Sequence, residues 1–275
     1  MSSNDYGLDL SRTRIMGILN VTPDSFSDGG KFLHPDQAVA QAAAMEAAGA
    51  GIIDIGGESS RPGAPAVSET EELNRVLPVI QGIRRRSAVL LSIDTCKARV
   101  AEEALRLGVN WINDISGMRF DPEMSEVAQK RNCPVVIMHM LGTPQTMQLN
   151  PHYHDVIAEL HMFFSERIQS LNSRGIRKII LDPGIGFGKR PEDNLLILKK
   201  LETFKCYGYP LLIGTSRKSF IGTVTGRTVE DRLAGTLATI AWSVARGVSI
   251  VRTHDVAEAS DAIKLIDSIM SSGVL

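Results

Sequence analysis

One pattern occurs four times in the chain and limits the folds that it can adopt. A helix-like stretch ends at a glycine, a short run rich in β-branched residues follows, and a polar residue closes the run. The runs, each with its glycine, are GAGIID (49–54), GVNWIN (108–113), GIRKIILD (175–182) and GVSIVR (247–252). Glycine is common just after a helix because it tolerates the left-handed conformation. Runs this short and this continuously apolar are typical of parallel strands buried on both faces.

Four further apolar runs raise the number of predicted strands to eight. They are RIMGILN (14–20), VLLSIDT (89–95), PVVIMHM (134–140) and PLLIGTS (210–216). A regular alternation of strands and helices indicates a parallel sheet with right-handed crossovers. Eight such units in 275 residues predict an α/β fold, the (β/α)8 TIM barrel, as a single domain over residues 1–275 with its core at about 14–271. A doubly wound open sheet is the alternative.

The intervals between the predicted strands carry helical spacing, so that one helix is expected after each strand. The clearest of these helices are predicted at 155–172, 231–246 and 255–270. The sequence SETE (68–71) has the pattern of a capping box at the start of the second helix. That helix is expected to end at the three arginines 84–86, which we interpret as a solvated helix end whose cations suit the helix dipole.

Composition and cysteine usage exclude several classes of protein. The formal net charge is −1, which gives no reason to expect a nucleic-acid or anionic-membrane partner. Cys96, Cys133 and Cys206 are far apart and form no C-x-x-C pair, an arrangement that argues against a disulfide framework or zinc ribbon and fits a reducing compartment. No apolar run approaches the ~18 residues that span a bilayer, and the polar start lacks the apolar region of a signal peptide. We therefore expect a cytoplasmic protein.

Polar residues stand where the predicted strands end. The active site of such a barrel lies at the carboxyl ends of its strands. The residues found there are Asn20, Asp54, Asp94, Asn113, His139, Asp182, Ser216, Arg252 and His254. Any one of them is compatible with helix capping or a turn. Because so many would converge on one rim, the set favours a functional site.

The glycine-rich stretch DPGIGFGKR (182–190) resembles a phosphate-binding loop only superficially. A P-loop needs glycine and Ser or Thr where this chain has Pro183 and Arg190, and Lys189 occupies the last glycine position of the dinucleotide fingerprint. Nucleotide-dependent chemistry is therefore not expected.

Two further clusters carry polar or titratable side chains. The stretch TSRKSFIG (215–222) places hydroxyls and cations at a strand-to-helix turn. Cations there oppose the helix dipole, which favours a site for an anion or a polar heterocycle over a solvated turn. His152, His154 and His161 have no carboxylate at metal-ligand spacing, and we predict surface or packing roles for them.

Taken together, several stretches resemble the dihydropteroate synthases over residues 14 to about 256. The stretches are MGILNVTPDSFSDGG (16–30), IIDIGGESSRPG (52–63), SIDT (92–95), INDISG (112–117), LDPGIGFGK (181–189), GTSRKSFIG (214–222) and RTHDV (252–256). That family has the TIM-barrel fold, in agreement with the strand count.

The resemblance implies a transferase of folate biosynthesis. The family condenses (7,8-dihydropterin-6-yl)methyl diphosphate with p-aminobenzoate, releases diphosphate with the help of Mg²⁺, forms homodimers and is the target of sulfonamides. Its expected partners here are these small molecules, with no nucleic acid and no membrane. A pterin-dependent methyltransferase and a non-catalytic pterin-binding paralogue are the alternatives.

The same resemblance assigns roles to matching positions. Pterin diphosphate binding falls on Ser60, Asp94, Asn113, Asp182, Lys218, Arg252 and His254. The p-aminobenzoate site falls on Ser60, Pro62, Phe187 and Ser219, the magnesium ligand on Asn20, and catalysis on Asp28, Arg61 and Lys218. Ser60 stands where the family pattern has Thr, so the hydroxyl is kept and one methyl group is lost.

The chemistry of these side chains agrees with the assignment. A pterin presents an amino group and a ring N–H side by side, which match the two oxygens of one carboxylate such as Asp182. Lys218 can donate to acceptors on the opposite edge of the pterin. An arginine such as Arg252 can stack on the ring while its N–H groups bind phosphate oxygens.

The acidic loop NVTPDSFSDGG (20–30) suggests a catalytic device. It carries Asp24, Phe26 and Asp28 and ends in two glycines that can act as a hinge. Our hypothesis is that the loop closes over the site, and that Asp28 stabilises positive charge that develops when the bond to diphosphate breaks. A rigid acidic turn is the alternative.

Overall fold

Eight parallel strands form the inner ring of the computed structural model, which describes residues 5–22 and 35–272. They are β1 (Arg14–Asn20), β2 (Ile52–Gly56), β3 (Leu90–Asp94), β4 (Trp111–Asp114), β5 (Val135–Met138), β6 (Ile179–Asp182), β7 (Leu212–Ile213) and β8 (Ile250–Thr253). Each strand pairs with its neighbours in chain order, and β1 pairs with β8. A parallel bridge between Leu181 and Leu211 joins β6 to β7 and closes the ring. The predicted TIM barrel is confirmed, and the open sheet is wrong.

Helices surround this ring. They are α1 (Pro35–Ala47), α2 (Glu69–Arg84), α3 (Ala98–Arg106), α4 (Met124–Arg131), α5 (Val156–Ser173), α6 (Pro191–Lys199), α7 (Ser219–Thr225), α8 (Leu233–Ala245) and α9 (Val256–Ser271), with a 3-10 helix at Leu201–Tyr207. The three helices with predicted bounds agree within two residues. The interval between β7 and β8 holds two helices, α7 and α8, where one was expected. In the part of the chain that the structure describes, no helix is long and apolar enough to cross a membrane.

The amino-terminal end of the barrel is filled by an apolar floor. Seven inward-facing residues form it: Met16, Ile52, Trp111, Val136, Ile180, Leu212 and Ile250. Tyr6 seals the floor from below, since its hydroxyl donates to the Ile179 carbonyl at 3.1 Å and its carbonyl accepts from Trp111 Nε1 at 3.0 Å. This end of the barrel is therefore dry and carries stability rather than chemistry.

The site starts one layer above this floor. Side chains alternate between the two faces of a strand, so the residue two positions further along a strand also faces the interior. From Ile52, Ile180 and Ile250 this step leads to Asp54, Asp182 and Arg252. The outward-facing residues between them, such as Ile53, pack against the helices. These three strands therefore stay almost continuously apolar while each places one polar side chain inside the barrel.

The predicted capping box at the start of α2 is present on one side. Ser68 Oγ accepts the Glu71 backbone N–H at 3.2 Å, as expected of an N-cap. The Glu71 carboxylate, however, pairs with Arg75 Nε at 3.0 Å, one helical turn further on. The cap on the helix thus comes from the serine, and the glutamate contributes a surface ion pair.

The other end of α2 differs from the prediction at Arg84. This side chain is half-buried and donates to the Val89 carbonyl at 2.6 Å, the Gly108 carbonyl at 3.0 Å and Asn110 Oδ1 at 2.7 Å. The prediction of a solvated helix end is wrong for Arg84, which ties α2 to the segments that lead into β3 and β4. Arg85 and Arg86 are exposed, as expected.

We expect Arg84→Ala to lower the free energy of unfolding by about 1–3 kcal/mol, because it leaves partly buried carbonyl groups without a donor. Urea unfolding monitored by circular dichroism measures this change. Arg85→Ala and Arg86→Ala are matched controls and should stay within about 0.5 kcal/mol of the parent, as surface substitutions usually do. Equal effects of all three substitutions would contradict the structural role of Arg84.

Candidate active site

A cavity of about 1050 Å³ opens at the carboxyl ends of the strands. Most of the predicted site residues line it: Asn20, Ser60, Arg61, Pro62, Asn113, Asp182, Phe187, Lys218, Ser219, Arg252 and His254. Asp94 lines an adjoining chamber of about 430 Å³, which shares Ser59, Ser60 and Ile115 with the main cavity. Asp28, together with Asp24 and Phe26, lies outside the described residues.

The centre of the cavity floor is an ionic cluster around Arg252. Its Nε donates to Asp54 Oδ2 at 2.6 Å, and its Nη2 donates to Asp94 Oδ2 at 2.7 Å. Asn113 Nδ2 donates to the same Asp54 oxygen at 2.9 Å. One arginine thus holds carboxylates from β2 and β3, and Asp54 in turn orients the amide from β4.

The sequence interpretation missed the role of Asp54 in the site. It was noted among the polar residues near strand ends, but it was given no role in the site. The structure places it inside β2, two residues before the end of the strand, where it is fully buried. The available signal was the position of Asp54 directly after two isoleucines and before a third. A carboxylate buried in such an apolar run needs a cation.

Burial and neighbouring charges decide the ionisation of this cluster. Burial raises the pKa of Asp94 to about 7, although the Arg252 charge opposes the shift. Burial lowers the pKa of Arg252, but the charges of Asp54 and Asp94 outweigh it and raise that pKa above its ordinary value. The guanidinium therefore remains charged, and burial keeps the pKa of Asp94 above its ordinary value despite that charge.

Asp182 and Lys218 form the second charged part of the cavity. Asp182 Oδ1 accepts the Gly184 N–H at 2.7 Å, and burial raises the pKa of Asp182 while that hydrogen bond and the Lys218 charge oppose the shift. Burial lowers the pKa of Lys218 to about 7, against the effect of Asp182. Lys218 Nζ donates to the Ile185 carbonyl at 2.7 Å and lies 3.9 Å from the centroid of the Phe187 ring.

The glycines after β6 allow this loop to pack closely against its neighbours. Gly184 has φ +67°, and a Cβ there would lie 2.0 Å from the His139 carbonyl oxygen. Gly186 has φ +80°, and a Cβ there would lie 2.7 Å from Lys218 Cδ. Both positions therefore require glycine. The glycine-rich stretch thus brings Phe187 and Lys218 together.

Arg217, the first cation at the turn after β7, is compensated by a carboxylate. Arg217 has a left-handed backbone with φ +55°, and its guanidinium binds both carboxylate oxygens of Asp255, at 3.1 and 2.5 Å. Ser216 Oγ lies 3.1 Å from His254 Nδ1. These contacts tie the turn after β7 to the turn after β8, and they leave Lys218, the N-cap of α7, directed into the cavity.

The loop that carries Ser60, Arg61 and Pro62 is anchored at both ends. Lys97 Nζ binds Glu58 at the base of the loop and Glu72 Oε2 at 2.5 Å in α2. The Gly63 N–H donates to the Pro144 carbonyl at 3.2 Å. The exposed Arg61 is thereby held at the mouth of the cavity.

The remaining predicted positions lie as follows. Asn20 ends β1 at the cavity wall. In the described part of the chain, no cluster of three or more His, Cys, Asp or Glu side chains could hold a metal ion. His161 has the predicted packing role, since its Nδ1 lies 2.9 Å from the Tyr207 hydroxyl and its ring contacts Phe204.

The chain is similar to known proteins over most of its length. The family of pterin-binding enzymes matches residues 16–254. The dihydropteroate synthase of Synechocystis sp. is 47% identical over 268 residues, which cover 96% of this chain and 92% of the relative.

Solved structures agree. The Yersinia pestis dihydropteroate synthase in a sulfonamide drug complex superposes with a TM-score of 0.91 at 44% identity, covering 96% of this chain and 97% of the other. The Xanthomonas albilineans dihydropteroate synthase with 4-aminobenzoic acid gives a TM-score of 0.91 at 43% identity, covering 97% and 96%. The chain therefore belongs to the pterin-binding enzymes and, within them, to the dihydropteroate synthases.

Proposed function

We propose that this cavity condenses (7,8-dihydropterin-6-yl)methyl diphosphate with p-aminobenzoate and releases diphosphate, the reaction of the dihydropteroate synthases. The observation that carries the proposal is the pair Asp182 and Lys218, a buried carboxylate and a half-buried ammonium in one cavity. The 4-aminobenzoic acid and the sulfonamide in the two solved relatives support the choice of the amine substrate. The relatives give no support to the methyltransferase or the non-catalytic alternative.

The pterin is proposed to bind with its donor edge at Asp182. That carboxylate already accepts one backbone N–H through Oδ1, and it can still accept the amino group and ring N–H of the pterin. Lys218 would donate to the opposite edge. Asn113 and Asp94 complete the proposed grip, because Asp94 binds Arg252 directly and Asn113 binds Asp54, the other carboxylate partner of Arg252.

Arg252 and His254 are proposed to meet the diphosphate end. Arg252 has two terminal nitrogens and is held on one side by Asp54, so it keeps one carboxylate partner when a ligand engages Asp94. His254 lies two residues further along and is exposed at the mouth of the cavity. Arg252 can offer a charged guanidinium and His254 a hydrogen-bonding imidazole to the oxygens of a phosphate leaving group.

The residues present fit a Mg²⁺ ion that enters the site bound to a phosphate substrate. Mg²⁺ usually keeps several waters and binds through phosphate oxygens with only one or two protein ligands. Asn20 offers one amide oxygen at the cavity wall, and we propose that it holds the ion. When bound, the ion would supply neutralising charge to the diphosphate.

The arylamine is itself the nucleophile, so no nucleophilic side chain is needed. Phe187 and Pro62 offer apolar faces to the aromatic ring, and the hydroxyls of Ser60 and Ser219 can bind its polar ends. Arg61 stands at the mouth with its side chain exposed, where a cation can assist departure of the diphosphate. The cavity walls thus orient the amine and limit access of water.

A diphosphate-release assay tests this function directly. The purified protein, given both substrates and Mg²⁺, should release diphosphate and form dihydropteroate, and it should complement a strain that lacks dihydropteroate synthase. Methyl transfer from a reduced folate, or pterin binding without turnover, would instead establish one of the alternatives.

Asp182→Asn should weaken binding of the pterin substrate by about 2–5 kcal/mol, because the amide presents a donor where two pterin donors need acceptors. Isothermal titration calorimetry measures the change. Asp114→Asn is a matched control, since Asp114 is also fully buried and accepts backbone N–H groups from Ser116 and Met118, but it lies outside the cavity lining. A change below about threefold for Asp182→Asn would refute the pterin assignment.

Asp28→Asn should lower kcat by roughly 10²-fold while pterin affinity without p-aminobenzoate barely changes, because the carboxylate is proposed to act mainly in the transition state. Steady-state kinetics with both substrates and a separate pterin titration give the two readouts. Asp24→Asn makes the same charge change in the same loop and should affect kcat less. An unchanged kcat with equal losses in affinity and kcat/KM would show that the loop only binds substrate.

We further propose that the chain forms a homodimer and acts in the cytoplasm. Leu265 and Ile269 are exposed one turn apart on α9, as is Met270 beside them, and an apolar stripe of this kind suits a subunit interface. Sedimentation velocity of Ile269→Glu, with Lys264→Glu on the same helix as control, tests the dimer.

The free state of all three cysteines supports a reducing compartment.

A further inference from the structure

Lys189 is a buried lysine for which the proposed reaction has no direct use. Only 3% of its surface is exposed. Its Nζ lies 3.0 Å from His139 Nδ1, 3.2 Å from the His139 carbonyl oxygen and 3.1 Å from the Phe187 carbonyl oxygen. An ammonium has three N–H donors, so all three are matched, and they join the end of β5 to the loop after β6.

The acceptors of this lysine are neutral, which makes the arrangement costly to maintain. Burial lowers the pKa of His139 to about 2, and the Lys189 charge acts in the same direction, so the ring stays neutral and Nδ1 can accept. Burial also lowers the pKa of Lys189 to about 7. An apolar side chain at this position would avoid the cost of removing an amine from water. The three hydrogen bonds of Lys189 offset this desolvation cost.

The segment fixed by Lys189 carries the aromatic wall of the substrate cavity. Phe187 lines the cavity, and its ring lies under the Lys218 ammonium at 3.9 Å. The neighbouring carbonyls have other donors, since Gln148 binds the Gly186 carbonyl at 2.9 Å and Tyr153 binds the Gly188 carbonyl at 2.7 Å. Lys189 donates to the carbonyl of Phe187, which is the residue whose ring lines the cavity.

We propose that Lys189 is a positioning residue for the amine substrate, acting through Phe187. It holds the Phe187 carbonyl against the His139 backbone and thereby fixes the ring beneath Lys218, at the face where p-aminobenzoate is expected. This inference rests on the proposed function. It extends that function to a residue that lies behind the cavity wall and does not touch substrate.

The test is a double-mutant cycle with Lys189→Met and Phe187→Ala. Lys189→Met alone should raise the KM for p-aminobenzoate about tenfold, while the Kd for pterin diphosphate changes less than about threefold, because the hydrogen bonds of Lys189 go to His139 and Phe187 and not to the carboxylates that grip the pterin. In the Phe187→Ala background the same substitution should change KM less than about twofold, as expected for two residues that act in series.

Two controls separate positioning from a general loss of stability. Tyr6→Phe removes a buried hydrogen bond at the opposite end of the barrel and should lower the urea midpoint without moving KM. Lys189→Gln keeps two N–H donors and should raise KM less than Lys189→Met does. It also replaces the methionine variant in the cycle if that variant does not fold.

The outcomes are distinct. An active parent enzyme in which Lys189→Met raises KM equally with and without Phe187 would overturn the inference and leave the proposed function intact. An unchanged KM in Lys189→Met would do the same. A parent enzyme that releases no diphosphate from the two substrates would overturn the proposed function itself, and with it the role of Lys189 in that reaction.

Discussion

The structure of the site depends on one guanidinium inside the barrel. Arg252 lies between Asp54 and Asp94, and removal of Arg252 would leave both carboxylates without their cation. Such a loss is strongly destabilising, even though an intact buried ion pair often adds little net stability. The cluster therefore fixes geometry: it sets the depth of Arg252, the direction of the Asp94 carboxylate and the orientation of the Asn113 amide. Every other proposed pterin contact is arranged around these fixed groups.

A barrel can hold this cluster because alternate residues of a strand face the same side. The interior positions of the first layer are apolar and closed from below by Tyr6. Two residues further along, the same strands supply carboxylate, amide and guanidinium groups. The change from a dry floor to a charged layer thus occurs within about 7 Å of strand rise. The described helices continue to cover the outer faces of the strands, and the cavity opens from the charged layer at the carboxyl end.

The same alternation explains how far the sequence could predict the molecule. Strand number and parallel pairing follow from short apolar runs closed by polar residues, and both are confirmed. The large cavity lies at the carboxyl end of the strands, where the sequence places the site. The partners of the charged residues could not be read in this way. Arg252 and Asp54 are 198 positions apart, and their contact depends on the depth of each side chain within a closed ring. Arg84 was misjudged for a similar reason, because its partners come from loops that the sequence does not connect to it.

The ionisation of the cavity suggests why it should favour a pterin over other flat molecules. Burial raises the pKa of Asp94 and lowers that of Lys218, both to about 7, so each charged form is disfavoured relative to water. A ligand that donates to the carboxylate and accepts from the ammonium stabilises both charged forms at once. A ligand with donors alone improves only the carboxylate, and one with acceptors alone improves only the lysine. A heterocycle with donors on one edge and acceptors on the other can satisfy both kinds of group, in keeping with the proposed placement of a pterin between the carboxylates of the site and Lys218.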